Sequence, residues 1–382
     1  MVAIQGELSP GFEEVGEAFQ QLFASFGEVG AAVAVQAHGE TVVNLWAGER
    51  DRAGSQAWQE DTRCNIFSAS KGVVALAVLQ LVDRGQLALD TAIADVWPEF
   101  GCHGKDAIRV RDVLCHRAGL NAFHPRLADD LIYDWQGIVQ QVAAESPWWT
   151  PGSEQGYSPM IFGWLLGEVV CRISGASSFN DYVQANITGP VASQLVFGVD
   201  PEQHSGLAEM GPLRQPQKVV GSSLMEIMRA DPRGVVNRAF ANPPTLMMGT
   251  NKPAWRSAQI PAANGHASAL DLAAIYGSLA DLDDERLLSA AARTGCWQEQ
   301  SSAMDKILHS EISFALGFMR LLPAGIRAQK YFCHPGAGGS LGYADAGEGF
   351  GFGYVSRAMG QYILLDERAE HLLSAVYRAL RG

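Results

Sequence analysis

The sequence predicts an α+β fold: an antiparallel sheet assembled from both ends of the chain, flanked by terminal helices, with a mostly helical segment inserted between. Three textures lead there. Two β-branched runs fill residues 30–50, glycine-punctuated strand patterns recur after Ser310, and from Leu87 to about Ser310 apolar residues follow helical spacing. At 382 residues the chain exceeds a usual single core. Two subdomains are therefore expected: 1–86 with 311–382 as the sheet, and 87–310 as the helical insert, with a cleft between them.

Phe12, Val15, Phe19, Leu22 and Phe26 recur at helical spacing and predict an amphipathic opening helix over residues 11–26. "GAAVAVQAHGETVVNLWAGER" then reads as a hairpin turning at His38-Gly39-Glu40. The run Asn65–Gly85, "NIFSASKGVVALAVLQLVDRG", is a buried helix that Gly85 closes. Further helices follow at "VRDVLCHRAGL", "MIFGWLLGEVVCRIS" and "SALDLAAIYGSLADL"; the last opens on a capping box, Ser268 with Asp271. Two Pro- and Gly-rich stretches, near 212–224 and 242–265, predict ordered loops or lids. "ISFALGFMRLL", "YFCHPGAGGSLGYADAG" and "FGFGYVSRAM" are successive strands, and "DERAEHLLSAVYRALR" is an amphipathic closing helix.

Composition excludes several function classes. Apolar residues make up 47% and charged residues 18%, as in a folded soluble protein, and the net charge of −13 with no basic stretch argues against nucleic acid and anionic membrane as partners. The N-terminus lacks a basic region followed by an apolar core, and no apolar run reaches the ~18 residues of a membrane span. Six scattered cysteines without C-x-x-C suit buried thiols in a reducing cytoplasm. Without H-E-x-x-H or a complete G-x-G-x-x-G after a strand, neither a metal nor a dinucleotide cofactor is expected. A homo-oligomer is compatible with all of this.

Chemistry concentrates in a few places. Ser68 and Lys71 form S-x-x-K, which on one helix face sets their side chains together. The helix start favours an oxyanion at the serine's amide, and dry surroundings with the dipole should lower the lysine's pKa, making it a general base for the hydroxyl. A lysine in a first turn can equally snorkel to water. Tyr157 and Ser158 precede an apolar helix, where a phenol could relay protons or simply pack. His334-Pro335-Gly336 leads into small residues only, where backbone can approach a ligand, although a histidine there can also be structural.

In this order and at these spacings, "FSASK", "PGSEQGYS" and "HPGAGG" resemble the serine β-lactamase-like superfamily, which includes class C β-lactamases and penicillin-binding proteins, and within it the family VIII carboxylesterase branch. The resemblance covers nearly the whole chain. It implies an active site in the cleft, with Ser68 as acyl-accepting nucleophile, Lys71 as base, Tyr157 in the place of the second-motif tyrosine, and His334 and Gly336 where the lactamases have Lys and Gly of Lys-Thr-Gly. The amides of Ser68 and Ala337 would form the oxyanion hole. Whether Lys71 or Tyr157 takes the proton stays open. Two departures shift the expectation from β-lactam to ester: Pro159 stands where the family has asparagine, and His334 replaces a permanently charged lysine, weakening any grip on a carboxylate. The expected substrate is a small-molecule, short-chain ester. A β-lactamase, D-amino-acid peptidase or acyltransferase on the same scaffold is the alternative, and a non-catalytic binding protein a further one.

Gly338-Gly339-Ser340-Leu341-Gly342 is a formal G-x-S-x-G with Asp366 and His371 downstream. That motif needs a strand, a sharp elbow and a helix, whereas another strand follows here. Ser340 is thus not expected to be a nucleophile. Trp148, Trp149, Phe240 and Trp255 read equally as pocket walls or core.

Overall fold

The structure, a computed structural model, describes residues 2–213 and 224–382. In chain order the elements that position the site are β1 (Ile4–Leu8), α1 (Glu13–Ser25), β2 (Gly30–Ala37), β3 (Glu40–Gly48), α2 (Ser70–Asp83), α3 (Ile161–Ser174), α4 (Ala269–Ala280), β4 (Tyr331–Pro335), β5 (Leu341–Asp345), β6 (Phe350–Ser356) and α5 (Glu367–Arg381). The six strands form one antiparallel sheet in the order β1-β3-β2-β6-β5-β4, joining the two ends of the chain as their texture predicts. The edge strand β1 escapes sequence reading because four of its five residues are exposed, leaving no apolar alternation.

The period-two pattern assigns the sheet's faces. Val33, Val35, Phe350, Phe352 and Tyr354 share a core with Phe19 and Leu22 of α1 and Leu372 and Val376 of α5. Ala32, Ala34 and Val355 point the other way, into the core that holds Leu272, Ala273 and Tyr276 of α4. In "FGFGYVS" the aromatic residues therefore face the terminal helices and the glycines face α4. They must be glycine: a Cβ on Gly351 would stand 2.0 Å from the Gly277 nitrogen, and one on Gly353 2.1 Å from the Ala269 carbonyl oxygen. Gly351→Val is expected to destabilise by at least about 1–3 kcal/mol, since backbone must move to admit it. A lower urea midpoint at unchanged m would register this.

Helix α4 opens on the anticipated capping box, with the Ser268 hydroxyl accepting from the Asp271 N–H and the Asp271 carboxylate accepting from the Ser268 N–H at 2.8 Å. It lies within the segment expected to form the helical insert, yet packs directly on the sheet. Among the other helices of that segment, α3 makes the main contact with α2, whose first twelve residues, Ser70–Leu81, are all buried. Helix α2 thus lies between the sheet layer and the helical layer. It ends at Asp83, with Gly85 at φ 69° supplying the left-handed turn beyond it. No helix among the described residues is long and apolar enough to cross a membrane. The expected loop at 212–224 lies largely outside the described residues.

Candidate active site

Ser68 lies in a 3₁₀ turn, Phe67–Ala69, that runs directly into α2. It is one step ahead of the α-helical turn that the spacing suggested, yet Lys71 Nζ still lies 3.1 Å from Ser68 Oγ. The ladder of the turn begins with the Ala69 N–H donating to the Ile66 carbonyl at 3.1 Å, so the Ser68 N–H precedes it. Phe67, at φ 46°, bends the chain immediately before Ser68 in a conformation uncommon for a residue with a Cβ.

Lys71 has no exposed surface. Its Nζ lies 2.8 Å from the Pro159 carbonyl oxygen and 2.9 Å from that of Ala262, and 4.9 Å from the centre of the Tyr157 ring. Burial holds its pKa well below the ordinary 10.5 of a lysine. The two carbonyls can only accept. A neutral amine has two N–H donors, and committing both to Pro159 and Ala262 leaves its lone pair for the Ser68 hydroxyl. Proline at 159, which offers no side-chain amide, contributes its carbonyl oxygen instead.

Long-range contacts hold those carbonyls in place. The Asn264 amide donates to the Trp255 and Ala258 carbonyls at 2.8 and 2.7 Å while its oxygen accepts from the Ile260 N–H at 2.8 Å, so the stretch 255–264 folds around one side chain. Asn65, beside the Ser68 turn, donates to the Ala263 carbonyl and accepts from the Trp255 indole. Trp255 is therefore core. Gly163 on α3 allows the approach, because a Cβ there would stand 2.2 Å from the Ala262 nitrogen.

Tyr157 is fixed through its backbone. Its N–H donates to both oxygens of the buried Asp305 carboxylate, at 3.0 and 2.9 Å, and its carbonyl accepts from Asn121 at 3.1 Å. The ring rests 4.8 Å from that of His116, whose Nδ1 accepts the Ser158 N–H at 3.1 Å. Burial raises the phenol's pKa, partly opposed by the nearby Ser68 hydroxyl, so Tyr157 stays protonated at neutral pH. Ser158 is structural: its hydroxyl donates to the Leu120 carbonyl at 2.7 Å and accepts the Phe162 N–H at 3.1 Å, at the start of α3.

His334 closes the cluster from β4, its ring 6.3 Å from that of Tyr157. His334 has no exposed surface, and burial, with a smaller contribution from Lys71, pulls its pKa down to about 3. It is neutral, and offers a substrate carboxylate no charge. Gly336 is also buried: a Cβ would stand 2.2 Å from both the Ile66 carbonyl oxygen and Ser340 Oγ. Ala337, like Ser68, is only partly buried, and no described residue accepts its N–H. Ser68, Lys71, Tyr157 and His334 thus converge, with Gly336 pressed against the residue two before Ser68.

The rival serine has other work. Ser340 Oγ donates to the Ile66 carbonyl at 2.8 Å, Asp366 caps α5 and pairs with Arg368 at 2.9 Å, and His371 meets Gln21 at 2.8 Å. No Ser-His-Asp triad forms among them. Trp148, Trp149 and Phe240 are half-buried against the core that holds Tyr157.

Sequence reasoning noted Pro159 only for its missing side-chain amide, and missed its carbonyl along with Ala262, Asn264 and Asp305. Pro159 and Ala262 act through carbonyls, which leave no mark in residue type; Asn264 and Asp305 were separable from ordinary polar residues only once folding buried them.

Residues 18–375 match the Beta-lactamase family model. The chain is similar to the esterase/β-lactamase LipL of Mycobacterium tuberculosis, 29% identical over 385 residues that cover 98% of this chain and 87% of LipL. Among solved structures it is similar to a family VIII carboxylesterase, at 31% identity and a TM-score of 0.90, covering 99% of this chain and 100% of that one. A penicillin-binding protein homologue from Caulobacter crescentus gives 34% identity and a TM-score of 0.88 over the same shares. With the family match running through nearly all of the sheet, the helical layer and the Ser68 turn between them, this chain belongs to the beta-lactamase family.

Proposed function

We propose that this protein is a serine carboxylesterase that hydrolyses short-chain carboxylic esters through an acyl-Ser68 intermediate. The observation that carries the reading is the dry Lys71 amine, with two carbonyl acceptors and its lone pair left for Ser68. The esterase names of the similar proteins support it.

Lys71 takes the Ser68 proton as Oγ attacks the ester carbonyl carbon. The resulting ammonium has three N–H groups and three acceptors already in place: Pro159, Ala262 and Ser68 Oγ. The N–H groups of Ser68 and Ala337 receive the developing oxyanion, and loss of one such donor typically costs ~10²–10³-fold in rate. Tyr157, whose raised pKa keeps its proton, hands it to the departing alkoxide and recovers one from Lys71. Water then attacks the acyl-enzyme, releasing the carboxylic acid and restoring the Ser68 hydroxyl. Lys71 is the base, because its pKa is lowered while that of Tyr157 is raised. His334 forms a neutral wall behind the tyrosine, with Gly336 setting the backbone of Ala337.

Esters are favoured over β-lactams because the position of the lactamase lysine holds an uncharged imidazole and Pro159 has no side-chain amide. The six free thiols suit the reducing cytoplasm that we assign as the compartment. A phosphonate ester followed by peptide mapping is expected to label Ser68, and Ser68→Ala to abolish labelling and turnover of p-nitrophenyl butyrate without altering thermal stability. A label on Ser340, or faster turnover of nitrocefin than of the butyrate ester, would overturn the assignment.

A further inference from the structure

Beyond the active site the fold contains a second buried lysine, and this one faces a thiol. Lys105 has no exposed surface. Its Nζ lies 3.5 Å from Cys102 Sγ, 2.9 Å from the Ala143 carbonyl oxygen and in hydrogen-bond contact with that of Glu145. Cys102 Sγ reaches the same Ala143 oxygen at 3.1 Å. Sulfur and nitrogen are thus held side by side by one acceptor. The turn between them, with His103 at φ 55° and Gly104 at φ 77°, brings residues 102 and 105 to the same side. Cys102 is only partly buried and His103 and Gly104 are exposed, so a small oxidant can reach the sulfur. Burial lowers the pKa of Lys105, which favours the nucleophilic amine.

From this pairing we infer that Cys102 and Lys105 form an oxidative cross-link, with one oxygen atom bridging Cys102 Sγ and Lys105 Nζ. Hydrogen peroxide is the oxidant. A first peroxide transfers oxygen to the thiol, giving the sulfenic acid and one water. A second removes one hydrogen from the S–O–H and one from the amine as the N–O bond forms, giving two more waters. Sulfur and nitrogen are each oxidised by two electrons, and both peroxides are reduced. Inserting an oxygen spans much of the existing gap, whereas a direct S–N bond would draw Nζ away from both carbonyls. The bridged nitrogen keeps one N–H, so it can serve only one of the Ala143 and Glu145 oxygens. Two equivalents of a dithiol reverse the change by supplying four electrons. The S–O and N–O bonds are both cleaved, the oxygen leaves as water, and the thiol and amine are restored as the dithiols become disulfides.

The link loosens a segment that reaches toward the catalytic tyrosine. The Glu145 carboxylate holds the His124 N–H at 3.1 Å and the His124 ring at 2.5 Å, and that ring stacks 4.0 Å from Trp148. Trp148 packs on the core that contains Tyr157.

The test is to treat the full-length protein with hydrogen peroxide and map tryptic peptides before and after dithiothreitol. The expected product contains Cys102 and Lys105 in one peptide that has gained one oxygen and lost two hydrogens. It resists cleavage after Lys105 and alkylation at Cys102, and dithiothreitol restores the original mass. Cys102→Ser, a near-isosteric change outside the active site, is expected to prevent the shift. Recovery of Cys102 as sulfinic or sulfonic acid beside an unmodified Lys105 would overturn the inference. So would loss of two hydrogens without the added oxygen, or a peptide that peroxide leaves unchanged.

Discussion

Replacing Lys71 with methionine is expected to lower kcat/KM for p-nitrophenyl butyrate by about 10²–10⁴-fold, the range for loss of a positioned general base. Methionine preserves the length of the side chain, so helix α2 and its packing remain. What disappears is the lone pair facing Ser68 Oγ at 3.1 Å and the donors to Pro159 and Ala262. The pH profile separates this from a packing effect. In the wild type, activity should rise with pH as Lys71 passes through its depressed pKa, because only the neutral amine accepts a proton. His334 adds no inflection near neutrality, since it is already neutral above about pH 3. The K71M variant should lose the ascending limb. The same titration bears on stability. The unfolded lysine binds a proton up to its ordinary 10.5 and the folded one releases it earlier, so the stability of the wild type should increase with pH between the two values. A variant retaining the wild-type ascending limb would remove Lys71 from the mechanism.

Arg368→Met is expected to destabilise the fold by about 3–5 kcal/mol, as when one partner of a buried ion pair is removed. Arg368 has no exposed surface and sits 2.7 Å from Glu28 and 2.9 Å from Asp366, both equally buried. Removing the guanidinium strands two carboxylates in the core. It also frees the Gly338 carbonyl, which Arg368 Nη2 grips in the turn just after Ala337. Chemical denaturation reads the first consequence. The second predicts that, in whatever fraction remains folded, kcat falls more than KM rises, since oxyanion donors act on the transition state. An Arg368→Met protein with wild-type stability would show that the two carboxylates find other partners at little cost.

Local pattern was enough for a good deal of this molecule. Alternation placed Phe350, Phe352 and Tyr354 on one strand, helical spacing set Ser68 beside Lys71, and Ser268 with Asp271 marked the start of a helix. Each depends on residues a few positions apart, whose geometry the backbone imposes wherever they occur. The shift of Ser68 into a 3₁₀ turn escaped notice because spacing alone does not separate one tight helix from another.

Tertiary structure decided the rest. That His334 is uncharged follows from its burial and from Lys71, 263 positions away in the chain. That Lys71 has its lone pair free follows from two carbonyls brought by distant segments, one fixed by Asn264 and admitted by Gly163. The sequence by itself determined which groups could react and roughly where they stand. Their protonation states were decided by the fold, because desolvation and hydrogen-bond partners come from whatever packs around a group, and residue type does not record that.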